Sequence, residues 1–162
     1  MLYLGEMDFA NAMIGVDVRN NSAWSQRFFA RKWLVGRGND LHKSQANELR
    51  WALGYVARDA SNESAWKYAH ALLRWSQSAE LSQLREMLLN ACEAAIQATG
   101  DCIPASVVKE RLNHGLGDTD DGHTWRQLAT RDPIRAKYWN LQASRMVEKA
   151  TPKQKSDDSL FY

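Results

Sequence analysis

The sequence predicts an all-α fold, a solenoid of stacked helical hairpins, from two observations. The block Asp17-Val-Arg-Asn-Asn-Ser-Ala-Trp24 returns as Asp59-Ala-Ser-Asn-Glu-Ser-Ala-Trp66, 66 − 24 = 42 residues later, with five of eight positions identical. At the same spacing Trp33 pairs with Trp75, and nowhere does the chain alternate apolar and polar residues as a strand would. Repeats of this length indicate helical hairpins that stack, because a single hairpin cannot bury its own apolar face.

The first half of the chain predicts two hairpins, since apolar residues recur there at helical spacing. Asn21 or Ser22 is expected to begin the second helix, and Ser61 or Asn62 the fourth, because such side chains accept hydrogen bonds from unpaired backbone N–H groups. The glycines at 36 and 38 end the second helix. The predicted helices span about 5–16, 21–35, 40–58 and 63–77.

The second half predicts a third hairpin and a closing helix. Pro104 and Pro133 each suit the first turn of a helix, where the missing N–H of proline would be unpaired anyway. The segment 115–122 is rich in glycine and aspartate and reads as a loop. The predicted helices span about 80–98, 104–114, 123–130 and 133–149.

These elements predict one helical-repeat domain over residues 1–150, followed by a polar tail at 151–162. Solenoids end in capping units with a polar outer face. The first predicted helix is apolar and lacks that character, so the sequence is expected to lack N-terminal repeats.

Composition excludes several function classes. The net charge is +2 and the basic residues are scattered among acidic ones, which argues against a nucleic-acid binder. No run of 18 apolar residues and no signal sequence occur, so no membrane insertion and a cytoplasmic location are expected. Cys92 and Cys102 lie ten residues apart, and the four histidines show no metal-ligand spacing; we therefore expect no metal site on this chain.

The repeated blocks resemble a known family. Asn20-Asn-Ser-Ala-Trp24, followed by Arg27, and Asn62-Glu-Ser-Ala-Trp66 are similar to the Asn-x-x-x-Trp repeat of protein prenyltransferase α subunits. Asp132-Pro-Ile-Arg-Ala-Lys-Tyr-Trp139 resembles the C-terminal closing helix of the α subunit shared by farnesyltransferase and type I geranylgeranyltransferase. The resemblance covers residues 5–149 and is weak between about 79 and 125.

This resemblance implies a right-handed α-α superhelix that wraps a β subunit. In the family the β subunit holds the zinc ion and the isoprenoid pocket, and magnesium is a further candidate cofactor. The implied reaction joins an isoprenyl group from its diphosphate to the cysteine of a protein's C-terminal CaaX sequence. A family lysine near the diphosphate has no counterpart here, because it belongs to a preceding repeat, so the chain alone is expected to be inactive.

The resemblance also assigns site residues, none of them catalytic. Asn20, Arg19 and Arg27 are expected near the substrates and the diphosphate, while Trp24, Trp66 and Asn62 form the repeat core. Each has a structural alternative: the asparagines as turn residues that bond backbone groups, the tryptophans as packing residues, and the arginines as solvated helix-end charges.

Two other functions stay open on the sequence. The α subunit of Rab-type geranylgeranyltransferase uses the same repeats, although the segment 132–139 favours the shared α subunit. A non-catalytic helical scaffold that binds peptides is the alternative from another class. The sequence does not discriminate a farnesyl from a geranylgeranyl donor, since the β subunit of this family decides it.

Overall fold

The protein is all-α over the residues that a computed structural model describes: 2–36, 44–76, 78–114 and 122–150. Within these ranges there is no strand, and no helix is long and apolar enough to cross a membrane. The predicted fold class is confirmed. The helices are α1 (Leu2–Val16), α2 (Asn21–Gly36), α3 (Gln45–Arg58), α4 (Glu63–Trp75), α5 (Ser78–Thr99), α6 (Ile103–His114), α7 (His123–Arg131) and α8 (Ala136–Ala150).

Several predicted boundaries are corrected. Helix α3 begins at Gln45 rather than near residue 40, because the Ser44 hydroxyl caps it by accepting from the Asn47 backbone N–H at 3.2 Å. Helix α4 ends at Trp75, two residues early. The closing helix is preceded by a 3-10 turn at Pro133–Arg135, so α8 starts at Ala136. The predicted polar tail lies outside the described residues.

The chain divides into two compact units, Met1–Leu112 and Asn113–Tyr162. In the first, α1 packs on α2 and α3 on α4, while α2 lies against α4 and α3 against α5. Hairpins therefore stack layer on layer, as expected of an α-α solenoid. The single domain predicted over 1–150 stays a prediction.

Aromatic side chains fill the junction between the first two hairpins. The Trp24 ring centroid lies 5.4 Å from that of Trp51, 5.3 Å from Tyr55 and 5.2 Å from Tyr68. These four rings come from α2, α3 and α4. Large aromatics bury much apolar surface and also attract each other through their edges, so this cluster stabilises the contact between the layers.

In the second unit, α8 packs on α7 through two stacked indoles. The Trp125 and Trp139 centroids are 5.8 Å apart, and Trp139 Nε1 donates to Asp132 Oδ2 at 3.0 Å. Burial raises the pKa of Asp132, but the hydrogen bonds from Trp139 and Arg135 outweigh it and hold that pKa below its usual value. Gly122, with φ of 83°, begins α7 so close to α8 that an added Cβ would meet a backbone oxygen at 2.8 Å.

Candidate functional site at the hairpin turns

The repeated sequence folds into the same four-residue turn twice. In the first turn the Asn20 N–H donates to the Asp17 carbonyl, and in the second the Asn62 N–H donates to the Asp59 carbonyl, each at 3.1 Å. The aspartate side chains also match, since Asp17 Oδ1 accepts from the backbone N–H two residues on at 2.9 Å and Asp59 Oδ1 does so at 3.0 Å. Aspartate favours such turns because its carboxylate bonds the backbone two residues ahead.

The repeat tryptophans close these turns. Trp24 Nε1 donates to the Val18 carbonyl and Trp66 Nε1 to the Ala60 carbonyl, each at 2.8 Å. Both indoles are almost completely buried, with 2% and 1% of their surface exposed. The structure therefore places both tryptophans in the core, each satisfying its one polar atom within its own repeat.

Asn62 joins its repeat to the preceding one. Its Oδ1 caps α4 by accepting from the Ser64 and Ala65 N–H groups at 3.1 and 3.4 Å. Its Nδ2 donates to the Val18 carbonyl at 2.9 Å. The Val18 oxygen thus accepts one bond from the tryptophan of its own repeat and one from the asparagine of the next.

Asn20 occupies the equivalent position with one difference. Its Oδ1 accepts from the Ala23 N–H at 3.2 Å, which caps α2. The side chain is half-buried, and among the described residues its Nδ2 has no hydrogen-bond partner. The amide therefore remains available as a donor.

A third turn shares two of these contacts, with a cysteine in place of the asparagine. The Ser106 N–H donates to the Cys102 carbonyl at 2.9 Å, as the Trp66 N–H does to that of Asn62. Cys102 Sγ lies 3.2 Å from the Ala60 carbonyl and donates to it, matching the bond from Asn62 to Val18. Burial raises the pKa of this thiol. Sequence comparison misses the match because the spacing here falls from 42 residues to 102 − 62 = 40.

Arg19 lies on the surface and spans the two turns. Its Nε and Nη2 donate to Asp59 Oδ2 at 3.0 and 2.7 Å, and Nη2 also donates to Ser61 Oγ at 2.7 Å. The bonds from Ser61 and then from Arg19 hold the pKa of Asp59 below its usual value. About 62% of the Arg19 side chain is exposed, and its Nη1 has no hydrogen-bond partner among the described residues.

Arg27 lies in the core rather than beside Arg19 and Asn20. Its Nε and Nη2 meet Glu48 Oε1 at 2.8 and 2.7 Å, and Nη1 donates to Asn11 Oδ1. Its guanidinium carbon also lies 3.8 Å from the Trp51 ring centroid. Seven residues of helix, a rise of roughly 10 Å, separate it from Asn20.

Sequence reasoning missed the centre of this buried network, Glu48. Besides Arg27, its carboxylate accepts from Arg31 Nη1 at 3.2 Å and from the Tyr68 hydroxyl at 2.5 Å. Burial lowers the pKa of Arg31, and the negative charge of Glu48 partly offsets this shift. Burial raises the pKa of Tyr68. The available signal was the spacing of Glu48 with Ala52, four residues on, which puts the acid on the apolar face of α3.

A groove runs between α2 and α4 beside this network. Its cavity of about 250 Å³ is lined by apolar and polar groups from both helices, among them Phe28, Phe29, Ser64 and Lys67. Phe29 is 67% exposed. This groove therefore combines an exposed aromatic ring with polar groups, as protein interfaces do.

Comparison with known proteins identifies the repeat. Residues 3–36, which are most of α1 with its turn and α2, match the family model for the protein prenyltransferase alpha subunit repeat. This segment is similar to a prenyltransferase α-subunit repeat. The second hairpin, α3 and α4, reproduces its turn and capping geometry.

Three curated relatives share one name, protein farnesyltransferase/geranylgeranyltransferase type-1 subunit alpha, so the resemblance predicted from sequence is confirmed. The Arabidopsis thaliana protein is 26% identical over 88% of this chain and 49% of its own length. The Pisum sativum protein is 23% identical over 90% of this chain and 49% of its own length. The Dictyostelium discoideum protein is 26% identical over 85% of this chain and 43% of its own length. The chain spans about half the length of these relatives and matches their C-terminal part. No solved structure matches.

Zinc does not fit the described part of this chain. No group of three or more His, Cys, Asp or Glu residues lies together there in a way that suits a metal ion. Cys92 is buried, and this burial raises the pKa of its thiol to about 12.

Proposed function

We propose that this chain acts in the α subunit of a heterodimeric protein prenyltransferase. The complex transfers a farnesyl or geranylgeranyl group from its diphosphate to a C-terminal cysteine of target proteins, in the cytoplasm. The shared name of the three relatives supports the reaction class. The β subunit supplies the isoprenoid pocket, the zinc ion and any magnesium.

The observation that carries a role near the diphosphate is the difference between two equivalent asparagines. The Asn62 amide donates to Val18, whereas the Asn20 amide is an available donor next to the exposed Arg19. In the reaction the cysteine sulfur forms a bond to the allylic carbon while the bond from that carbon to the diphosphate oxygen breaks. The diphosphate leaves with the electron pair, and fixed donors stabilise such developing charge.

Arg27 remains part of this proposal with a different role. Its guanidinium is already bonded to Glu48 and Asn11, so it contributes by fixing α2, the helix that Asn20 caps. The groove between α2 and α4 is the proposed face for the β subunit. Its exposed Phe29 offers the kind of aromatic anchor on which interfaces depend.

The function is tested with a chimera. The matched C-terminal part of the Arabidopsis relative is replaced by this chain, and the chimera is co-expressed with the β subunit of that plant. Transfer of a labelled isoprenyl group to a CaaX peptide is expected. A stable heterodimer without transfer contradicts the enzyme proposal, and the absence of any heterodimer favours a scaffold.

The site is tested by comparing Asn20→Ala with Asn62→Ala in that chimera. Removing a donor to a developing oxyanion costs roughly 100-fold in turnover, so Asn20→Ala should reduce kcat far more than its loss of stability explains. Asn62→Ala should reduce activity only as the folded fraction falls. If both variants lose activity in proportion to stability, Asn20 is a structural residue.

A further inference from the structure

Two buried polar atoms beside the Glu48 network have no hydrogen-bond partner within the protein. Arg31 Nε is a donor on a side chain that is 2% exposed, and Gln45 Oε1 is an acceptor on a residue that is 7% exposed. Folded proteins rarely leave such atoms unpaired, because a buried donor or acceptor loses its bonds to solvent without replacement. An unpaired donor close to an unpaired acceptor therefore indicates a small ligand that bonds both.

The two side chains are neighbours in the fold. Arg31 Nη2 donates to the Ser44 carbonyl at 2.9 Å, and Gln45 follows Ser44 directly as the first residue of α3. Arg31 Nη1 donates to Glu48 Oε2 at 3.2 Å. Of the three guanidinium nitrogens only Nε is left without a partner, and it lies on the same planar group that contacts the residue preceding Gln45.

A third polar group acts on the same guanidinium from α5. Burial lowers the pKa of Arg31, and the charges of Glu48 and, more weakly, of Glu80 oppose that shift. Glu80 is half-buried in the first turn of α5. Among the described residues no ion pair joins Glu80 to Arg31, so its carboxylate lies within electrostatic range of the guanidinium without direct contact.

We infer that a buried water molecule is bound here, accepting from Arg31 Nε and donating to Gln45 Oε1. Water matches this pair of atoms because one molecule both accepts and donates, and buried waters typically satisfy two to four such groups. A cation is disfavoured by the adjacent guanidinium, and an anion by the amide oxygen and the charge of Glu80. The second hydrogen of the water is directed to Glu80, so the water extends the Glu48 network from α2 and α3 to α5.

A high-resolution crystal structure of the full chain tests the site directly. The expected result is a water peak within hydrogen-bonding distance of both Arg31 Nε and Gln45 Oε1. A Gln45 oxygen bonded directly to Arg31 Nε would overturn the inference, and so would the Glu80 carboxylate in the place of the water. Two atoms that stay unpaired with no peak between them would overturn it as well.

Magnetic relaxation dispersion of the solvent, which detects long-lived internal waters, tests the site in solution. Gln45→Leu removes the acceptor with little change in volume, and we expect it to lose the signal of one long-lived water relative to the parent chain. The control is Gln26→Leu, the same change at an exposed glutamine of α2 that donates to Glu6. The control should keep the full signal, because waters at exposed sites exchange quickly.

An unchanged signal in folded Gln45→Leu would contradict the inference. An equal loss in both variants would contradict it too, because the loss would then not be specific to the buried site. If Gln45→Leu does not fold, the density at Arg31 and Gln45 in crystals of the parent chain decides the question.

Discussion

At the scale of single residues, the Val18 and Ala60 carbonyls organise the repeats. Each accepts one bond from the tryptophan of its own repeat and one from the residue that precedes the next repeat's second helix, Asn62 or Cys102. A carbonyl oxygen has two lone pairs, so both bonds form without competition. A single backbone atom therefore fixes the packing within a repeat and the position of its neighbour.

Asparagine-to-aspartate substitutions isolate this bond. Asn62→Asp keeps the oxygen that caps α4 but removes the donor to Val18 and sets a negative charge against that carbonyl. We expect a loss of about 1–3 kcal/mol in unfolding free energy, measured by urea denaturation.

Asn20→Asp is the matched control, because it keeps the cap of α2 and breaks no bond among the described residues. Its effect on stability should be within about 0.5 kcal/mol. Equal losses of unfolding free energy for the two variants would show that the hydrogen bond from the Asn62 amide to Val18 does not stabilise the fold.

Trp66→Ala should cost about 3–5 kcal/mol, because the indole is completely buried and its removal leaves a large cavity. Phe29→Ala, at an exposed ring, is the control and should change stability by less than about 0.5 kcal/mol. Thermal and urea unfolding measure both. An unchanged melting temperature for the tryptophan variant would contradict its place in the core.

The sequence predicts contacts between single residues where the partners lie close together along the chain. Asp17, Asn20 and Trp24 act within eight residues of each other, so their motif predicts the turn. Glu48 and Tyr68 meet from different helices 20 residues apart, and no local pattern pairs an acid with that partner. Whether Asn20 lies near a substrate depends on a partner subunit and stays a prediction.

At the scale of helices, the Glu48 carboxylate holds α2, α3 and α4 together. Glu48→Gln should reduce unfolding free energy by about 3–5 kcal/mol, because the Arg27 and Arg31 guanidinium groups stay buried without a counter-charge. Tyr68→Phe removes one hydrogen bond from the same carboxylate and should cost about 1.5–3 kcal/mol. Urea denaturation of both variants measures these losses. A larger loss of unfolding free energy for Tyr68→Phe than for Glu48→Gln would contradict the prediction.

His70 on α4 gives the first unit a pH dependence. Burial, with the charges of Arg111 and Arg74, lowers its pKa from 6.5 to about 4. Above pH 6.5 the imidazole is neutral in both states. Between pH 6.5 and 4 only the unfolded chain takes up the proton, so stability falls as the pH falls. The lowered pKa values of Asp59 and Asp132 act in a separate window, below about 3.8.

The control for this prediction is His70→Gln, which has no proton to take up. Its unfolding free energy should change less between pH 6.5 and 4 than that of the parent chain, measured by urea denaturation at several pH values. Parallel pH curves for the two proteins would mean that another group is responsible.

The positions of helices can be predicted from their capping residues, and the errors in the predicted helix boundaries also arise at these residues. Ser61 and Asn62 both suit an N-cap, and only the structure shows that Asn62 takes that role. Helix α3 was predicted too long because helix-compatible residues precede Ser44. A cap is recognised only when its side chain meets the right backbone group, which composition alone does not reveal.

At the scale of the whole molecule, the junctions between repeats differ in strength. The junction to the third hairpin uses the Cys102 thiol, a weaker donor than an amide. Cys102→Asn should stabilise the protein by about 0.5–1.5 kcal/mol, because asparagine supplies the cap and the donor that Asn62 supplies.

The control for that substitution is Cys92→Asn. Cys92 is completely buried in the core, so an amide there should cost about 1–3 kcal/mol. Hydrogen exchange of α5 and α6 together with urea denaturation reports both effects. A destabilised Cys102→Asn protein would mean that the third turn does not share the geometry of the second.

The Val18 and Ala60 carbonyl oxygens each accept two hydrogen bonds, and this also determines which insertions and deletions the protein tolerates. Duplicating or deleting one complete hairpin returns every such oxygen to the same two donors, so the contacts at each junction are restored. Inserting a single residue in a turn instead moves the asparagine away from the preceding carbonyl and rotates the following helix by 100°. Variation among homologous chains should therefore occur in whole repeats or within the interhairpin segments, and the four-residue turns should keep their length.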